Sequence, residues 1–317
     1  MKIFLTGASG FVGKAALQML VKEGHEVVAM SRRAESDQLI KSLGGTSKRC
    51  DLESINAEHI AGCDTVIHSA AYVEQWGPKD AWHKANVIGT ENMLAAAKQA
   101  GVKRFIHIGT EAGLVHGQDL HHADESYPLA PDSPYPYCAS KAQAEQRVMA
   151  ANSAQMPCLV LRPRFIWGPG DQTLLPAIEK MAKQNAWVWI NHGQAMTSST
   201  HIDNLIHAVK LALHKGEGGE AYFVLDDGDH SLRDIIEGMA ASKQLQLGNR
   251  NLPLWLASAL GAICENSWRW LNLGGEPPLN NYTVMVMSRN CTLKDDKARS
   301  ELGYQPVISW DEGMANL

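Results

Sequence analysis

Two short stretches of this chain place residues at spacings that could do chemistry. Tyr137-Cys138-Ala139-Ser140-Lys141 sets a phenol and an ammonium four residues apart. On a helix that spacing puts both side chains on one face. A free phenol titrates near pH ~10, too high for efficient proton transfer at neutral pH. A neighbouring ammonium, together with the positive charge of an oxidised nicotinamide, favours the phenolate and is expected to lower that value. Of the seven tyrosines, only Tyr137 has a lysine four residues on. Thr110, which follows an apolar strand, offers a hydroxyl to hold a substrate carbonyl beside Tyr137.

The second stretch is Thr6-Gly7-Ala8-Ser9-Gly10-Phe11-Val12-Gly13. It follows an apolar strand and opens a helix. Its glycines allow a tight turn, close backbone approach and close helix–strand packing. Free N–H groups and the positive end of the helix dipole at Ser9–Gly13 suit a pyrophosphate. After the next strand, an NAD site would carry Asp or Glu for the ribose hydroxyls. Here the chain reads Ser31-Arg32-Arg33, and a hydroxyl with forked cations suits a 2′-phosphate. The expected cofactor is therefore NADP, with NAD the alternative. Asp51 and Leu52 are placed to cup the adenine. No metal site is expected: His116, His121 and His122 read as a polar loop, since adjacent residues do not face one way.

The elements that must position these residues are legible in the apolar periodicity. Lys2–Leu5, Glu26–Met30, Thr65–Ser69, Arg104–Gly109 and Cys158–Arg162 read as buried strands. Lys14–Lys22, Asn92–Gln99 and Ser140–Ala150 read as the helices between them. That alternation predicts a doubly wound α/β parallel sheet of the Rossmann type. The rhythm changes after Gly168, which suggests a nucleotide-binding domain over 1–167 and a smaller, mixed and mainly helical substrate domain over 168–317. Segments near 195–230 are expected to return to the first domain.

At this point the chain resembles the extended short-chain dehydrogenase/reductases. The residues that carry the resemblance are the glycine loop, Asp51-Leu52, His68-Ser69-Ala70-Ala71, Asn86–Asn92, Tyr137-x-x-x-Lys141, Leu161–Gly170 and His201–Asn204, in family order. Glu276-Pro277-Pro278-Leu279 is similar to the 3β-hydroxysteroid dehydrogenase-like branch. The resemblance implies that Tyr137 is the general acid in carbonyl reduction, Lys141 its electrostatic partner and Thr110 the carbonyl donor. It further implies that Ser69, Ala70 and Ala71 contact the cofactor, that Pro163 and Ile166 flank the nicotinamide, and that Asn86 ties two strands together without being catalytic. It also implies a homodimer through the helix bearing Tyr137. Epimerases and dehydratases share the fold; Glu111 beside Thr110 keeps a dehydratase reading open, and Arg233, Arg250, Arg269 and Arg289 are available to a sugar-nucleotide diphosphate.

Composition narrows the partners. With 29 basic and 34 acidic residues the formal charge is -5, which leaves no basic face for nucleic acid. Six scattered cysteines, none in a Cys-x-x-Cys pair, read as buried thiols in a reducing, cytoplasmic setting. Seven of the nine tryptophans lie at or beyond Trp167. Pro253–Cys264, followed by Trp268-Arg269-Trp270, is almost uncharged. These features point to a small hydrophobic substrate, lipid-like or polycyclic. The segment 253–271 reads either as core of the second domain or as a peripheral membrane contact.

Overall fold

A computed structural model describes residues 1–78 and 80–317. Its main sheet has seven parallel strands. Six of them are β1 (Lys2–Thr6), β2 (Glu26–Ser31), β3 (Thr46–Arg49), β4 (Thr65–His68), β5 (Arg104–Ile108) and β7 (Cys158–Pro163). The seventh is Ala221–Val224. The spatial order is Ala221–Val224, β7, β5, β4, β1, β2, β3, so the winding reverses between β1 and β4. That reversal opens a crevice at the carboxyl ends of the strands.

Helices cover both faces, which is why the strands are apolar throughout rather than alternating. Ile3 and Leu5 of β1 face one core with Leu17 of α1 (Phe11–Lys22) and Leu205 of α6 (Ile202–Ala212). Phe4, between them, faces the other core with Met93 of α3 (Gly89–Gln99) and Val148 of α4 (Pro136–Ala150). β1 therefore feeds two hydrophobic layers with a period of two.

A second sheet of four short strands lies apart from the first. It runs His230–Ser231, Met196–Thr197, Cys291–Leu293 and β6 (Leu120–Ala123). His121 and His122 thus sit on a strand with exposed side chains, not in the loop expected from their composition. Helices α7 (Leu232–Ser242), α8 (Leu254–Trp270) and α9 (Asn281–Ser288) complete this part of the molecule.

The junction between the two parts is a polar hub. Asp226 is buried and accepts from Trp167 Nε1, Ser199 Oγ, the His201 backbone N–H and Asn204 Nδ2, each at 2.7 Å. Asn204 in turn accepts from the Val307 and Ile308 N–H groups, which fixes the C-terminal segment. Trp167, Trp187 and Trp189 are buried in a core with Ile235 and Met239. These three are core residues and are not part of the wall of the cavity described below. Among the described residues no helix is long and apolar enough to cross a membrane.

Candidate active site

The glycine loop folds as its sequence requires. Gly7 adopts φ +74°, and a Cβ there would lie 3.0 Å from Ala70 N and the Ser69 carbonyl carbon. A Cβ on Gly13 would lie 2.1 Å from Gly7 O, so α1 could not approach the loop with any larger residue. Gly10 caps α1 without a side-chain acceptor, which leaves the first-turn N–H groups of Phe11 and Val12 open to a ligand. Ser9 and Gly10 are exposed at this edge.

A hydrogen-bond chain behind the loop locks it to the next strand. Thr6 Oγ1 accepts from Ser69 N at 3.1 Å and Ala70 N at 3.0 Å, so its own proton goes to His68 Nδ1 at 2.8 Å. His68 Nε2–H then donates to Thr90 Oγ1 at 3.0 Å, and Thr90 donates to Asn86 O at 2.6 Å. Each donor has one acceptor, which settles the histidine tautomer. Burial, with the Lys141 charge nearby, pushes His68 down to about 3, so it stays neutral.

At the adenosine end, Ser31 is buried and donates to Arg33 O at 3.0 Å, while Arg32 and Arg33 are exposed. Asp51 Oδ1 accepts from Ser54 N, Ser54 Oγ and Glu53 N. Those bonds from Ser54, with Arg32 contributing, hold its carboxyl below the usual range. Leu52 packs over Gly89 at the start of α3 and accepts from Asn92 Nδ2 at 2.8 Å. Pro163 ends β7 buried, and Ile166 is half-buried just beyond Phe165, whose φ is +46°.

Tyr137 and Lys141 lie on one face of α4, as their spacing demands. Lys141 is buried and donates to Ile108 O at 3.0 Å. Burial lowers its ammonium to about 8, with Glu145 one turn further on opposing the shift. Tyr137 behaves differently from expectation. Burial, then the carboxylate of Glu111, raises its phenol above the usual value. Thr110 and Arg164 pull the other way.

Asn86 does not tie two strands. Its Oδ1 accepts from Tyr72 N at 2.7 Å, and its Nδ2 donates to Tyr72 O and to Ser140 Oγ, both at 3.0 Å. It therefore couples the loop after β4, which holds Ser69, Ala70 and Ala71, to the helix carrying Tyr137.

Sequence reasoning missed two buried ion pairs beside the site. Arg162 and Arg164 project from the end of β7 and its extension. Arg162 pairs with Glu145 of α4, with Nε at 3.0 Å from Oε1. Arg164 pairs with Glu111 and also donates to Thr197 Oγ1 at 3.0 Å. Thr110 donates to Glu111 Oε2 at 2.7 Å, so the proton expected to meet a carbonyl is turned toward a carboxylate. Arginines two apart on an extended chain share a face, but their glutamates lie on other elements, so no local pattern announces them.

A cavity of about 340 Å³ adjoins this group. Tyr282 of α9 lines it and meets Tyr137 edge-on, ring centres 5.9 Å apart. Trp76, Trp82, Tyr135, Leu254 and Met285 supply the apolar wall. Its polar wall is Glu265, Arg269, Asn280 and Arg289. Arg269 lies over the Trp76 ring at 4.2 Å and 3.7 Å from Glu265, and Arg289 is 3.6 Å from Asp119. Neither Trp76 nor Tyr282 could be separated from ordinary packing residues by sequence alone.

A dinucleotide-type crevice, a Tyr–Lys helix and an adjoining cavity define an oxidoreductase of the extended short-chain dehydrogenase/reductase class. Residues 4–254 match the 3-beta hydroxysteroid dehydrogenase/isomerase family, and the chain belongs to that family. It is 37% identical over 320 residues to a 4-hydroxy-2-methyl-3-oxo-4-farnesyl-3,4-dihydroquinoline-1-oxide ketoreductase of Stigmatella aurantiaca, covering 100% of this chain and 96% of that one. It is 36% identical to a 2-alkyl-3-oxoalkanoate reductase of Stenotrophomonas maltophilia, covering 100% and 98%. Among solved structures, that of gox2253 superposes with a TM-score of 0.80 at 26% identity, over 99% of this chain and 96% of that one.

Proposed function

We propose that this protein is an NADP-dependent ketoreductase acting on a hydrophobic ketone that also carries polar groups, of the 3-oxo type named for its relatives. The observation that carries the reading is Tyr137 meeting edge-on the ring of Tyr282, which lines a cavity walled by both aromatic and ionic residues. The glycine loop fits a pyrophosphate: side chains are excluded at Gly7 and Gly13, and the first turn of α1 is uncapped. Phe11 and Val12 would offer N–H groups, Ser69–Ala71 the facing loop, Pro163 and Ile166 the nicotinamide end, and Asp51 with Leu52 the adenine end. When bound, the cofactor supplies a hydride to the carbonyl carbon.

The chain's own part is the proton. Tyr137 is a phenol held protonated at neutral pH, which suits an acid that donates to a developing alkoxide. Lys141 places a cation behind it, fixed by Ile108 O. Exposed Arg32 and Arg33 at the end of β2 favour a 2′-phosphate over a free ribose.

The rival readings find less support. Glu111 is buried and held by Arg164, so it is not poised as a dehydratase acid. Arg233, Arg250, Arg269 and Arg289 each already face a carboxylate or an amide, which leaves no free cradle for a second diphosphate. A second element of the proposal concerns α8, one face of which leaves large apolar side chains in solvent: Trp255 is 71% exposed, Ile263 62% and Trp270 86%. This face favours peripheral contact with a membrane surface.

The test is NADPH consumption by the purified protein with long-chain 3-oxo acids and their esters. The parent should turn over at least one of them. Tyr137→Phe should lose about 100-fold or more in kcat with cofactor affinity little changed. Turnover within tenfold of the parent would remove Tyr137 from its role.

A further inference from the structure

The hydroxyl of Tyr282 is a donor without an acceptor. Tyr222 and Tyr304 donate to Glu301 Oε2 and Leu225 O, each at 2.7 Å. Tyr282 has no such partner among the described residues, and its oxygen is not sealed from solvent. Desolvation raises its phenol well above the usual value, so it keeps its proton. The ring meets Tyr135 and Tyr137 edge-on, with centres 6.0 and 5.9 Å away. Tyr135 is packed toward Gly117, where a Cβ would lie 3.4 Å from its hydroxyl. Tyr282 lines the 340 Å³ cavity and Tyr137 does not, so Tyr282 is the member of this pair that faces the chamber. Its backbone is pinned on both sides. The Asn281 N–H donates to Glu265 Oε2 at 3.1 Å, and Thr283 Oγ1 donates to Gln75 Oε1 at 2.8 Å.

We infer that Tyr282 is a substrate-binding residue whose hydroxyl donates to a second carbonyl oxygen, so that the site selects 1,3-dicarbonyl compounds, 3-oxo acids and their esters, over simple ketones. The inference rests on the ketoreductase reading above and narrows its substrate class. Two neighbouring phenols hold one proton each. Tyr137 transfers its proton to the ketone oxygen as the hydride arrives at the carbon. Tyr282 keeps its proton and shares it in a hydrogen bond. Thr110 does not supply this second donor, because its proton goes to Glu111 Oε2 at 2.7 Å. A donor one ring away from Tyr137, on the cavity side, meets an oxygen near the reacting one rather than the reacting one itself. In a 3-oxo ester the two carbonyls are separated by a single carbon, so both oxygens can be met at once. A simple ketone offers only carbon at that place and leaves the Tyr282 donor unmet. A site that holds a donor for a substrate oxygen discriminates against the analogue lacking it.

The experiment compares two substrates of equal chain length in NADPH-dependent reduction. One is a 3-oxo ester that the parent turns over, and the other is the ketone with an alkyl chain in place of the ester group. Tyr282→Phe removes one oxygen and keeps the ring. It should lower the ratio of kcat/KM values, ester over ketone, about fivefold or more. The ratio cancels any loss that both substrates share, such as a displaced ring beside Tyr137. A smaller fall in the ratio overturns the inference. That includes the case in which both substrates slow equally, which would mean that Tyr282 serves the reacting oxygen. If Tyr282→Phe does not fold, Tyr282→Met also lacks the donor and is judged by the same ratio. A parent that reduces no ketone overturns the ketoreductase reading, and the inference with it.

Discussion

Lys141 carries a penalty that its role explains. Its ammonium titrates at about 8 in the folded protein against 10.5 in a solvated lysine, because it is buried. Between those values the unfolded chain binds a proton that the folded chain does not, so stability rises with pH through that window. Below pH 8 the full penalty stands, about 3 kcal/mol from the size of the shift. Lys141→Met removes it and forfeits the bond to Ile108 O, so at neutral pH the variant should be more stable by about 1–2 kcal/mol. A higher denaturant midpoint together with lost turnover would show the trade. Arg32→Glu should raise the KM for NADPH about tenfold or more and spare NADH, which steady-state kinetics with both cofactors would reveal. Much of this scale was legible beforehand. Tyr137, Lys141 and the glycines are bound by spacing along one helix or one turn, and such constraints are local. The direction of the phenol's shift was not, because it comes first from burial and then from Glu111, and burial is set by packing between elements rather than by local spacing.

At the scale of elements, periodicity located β1, β2, β4, β5, β7 and most of the flanking helices, since burial on both sides of a sheet leaves long apolar runs. It could not place Ala221–Val224 as the outer neighbour of β7, nor β6 beside Cys291–Leu293, because those pairings join residues far apart in the chain. The tryptophans show why composition misleads. Trp167 and Trp189 are sealed in a core, while Trp255 and Trp270, in the same half of the chain, face outward from α8. Hydrophobicity alone does not say which. The outer face of α8 carries Trp255, Ala259, Leu260, Ile263 and Trp270, whereas Glu265 and Arg269 turn to the cavity. Ile263→Glu and Trp270→Glu should leave unfolding within about 0.5 kcal/mol of the parent, being surface changes. The same pair should weaken binding to neutral phospholipid vesicles about tenfold, measured by flotation. Equal flotation of parent and variants would leave α8 without a membrane role.

For the whole molecule, the hub at Asp226 joins the seven-stranded sheet to the C-terminal segment. Four donors converge on one carboxylate, and Asp226→Asn keeps the shape but offers a single acceptor oxygen. Buried donors left unmet should cost about 2–4 kcal/mol. Chemical denaturation should show a lowered midpoint, and proteolysis should attack the segment after Tyr304 first, since Asn204 would lose its anchor. A midpoint unchanged from the parent would show that the junction is held by its apolar contacts.

Tyr282 has a bearing on how such an enzyme diversifies. The groups that handle protons all precede Phe165, whereas most of the chamber's wall, Tyr282 included, comes from α8, α9 and their connection. A graft of residues 254–290 from a cousin should therefore transplant a new appetite onto an unchanged engine, with the inherited rate ceiling intact.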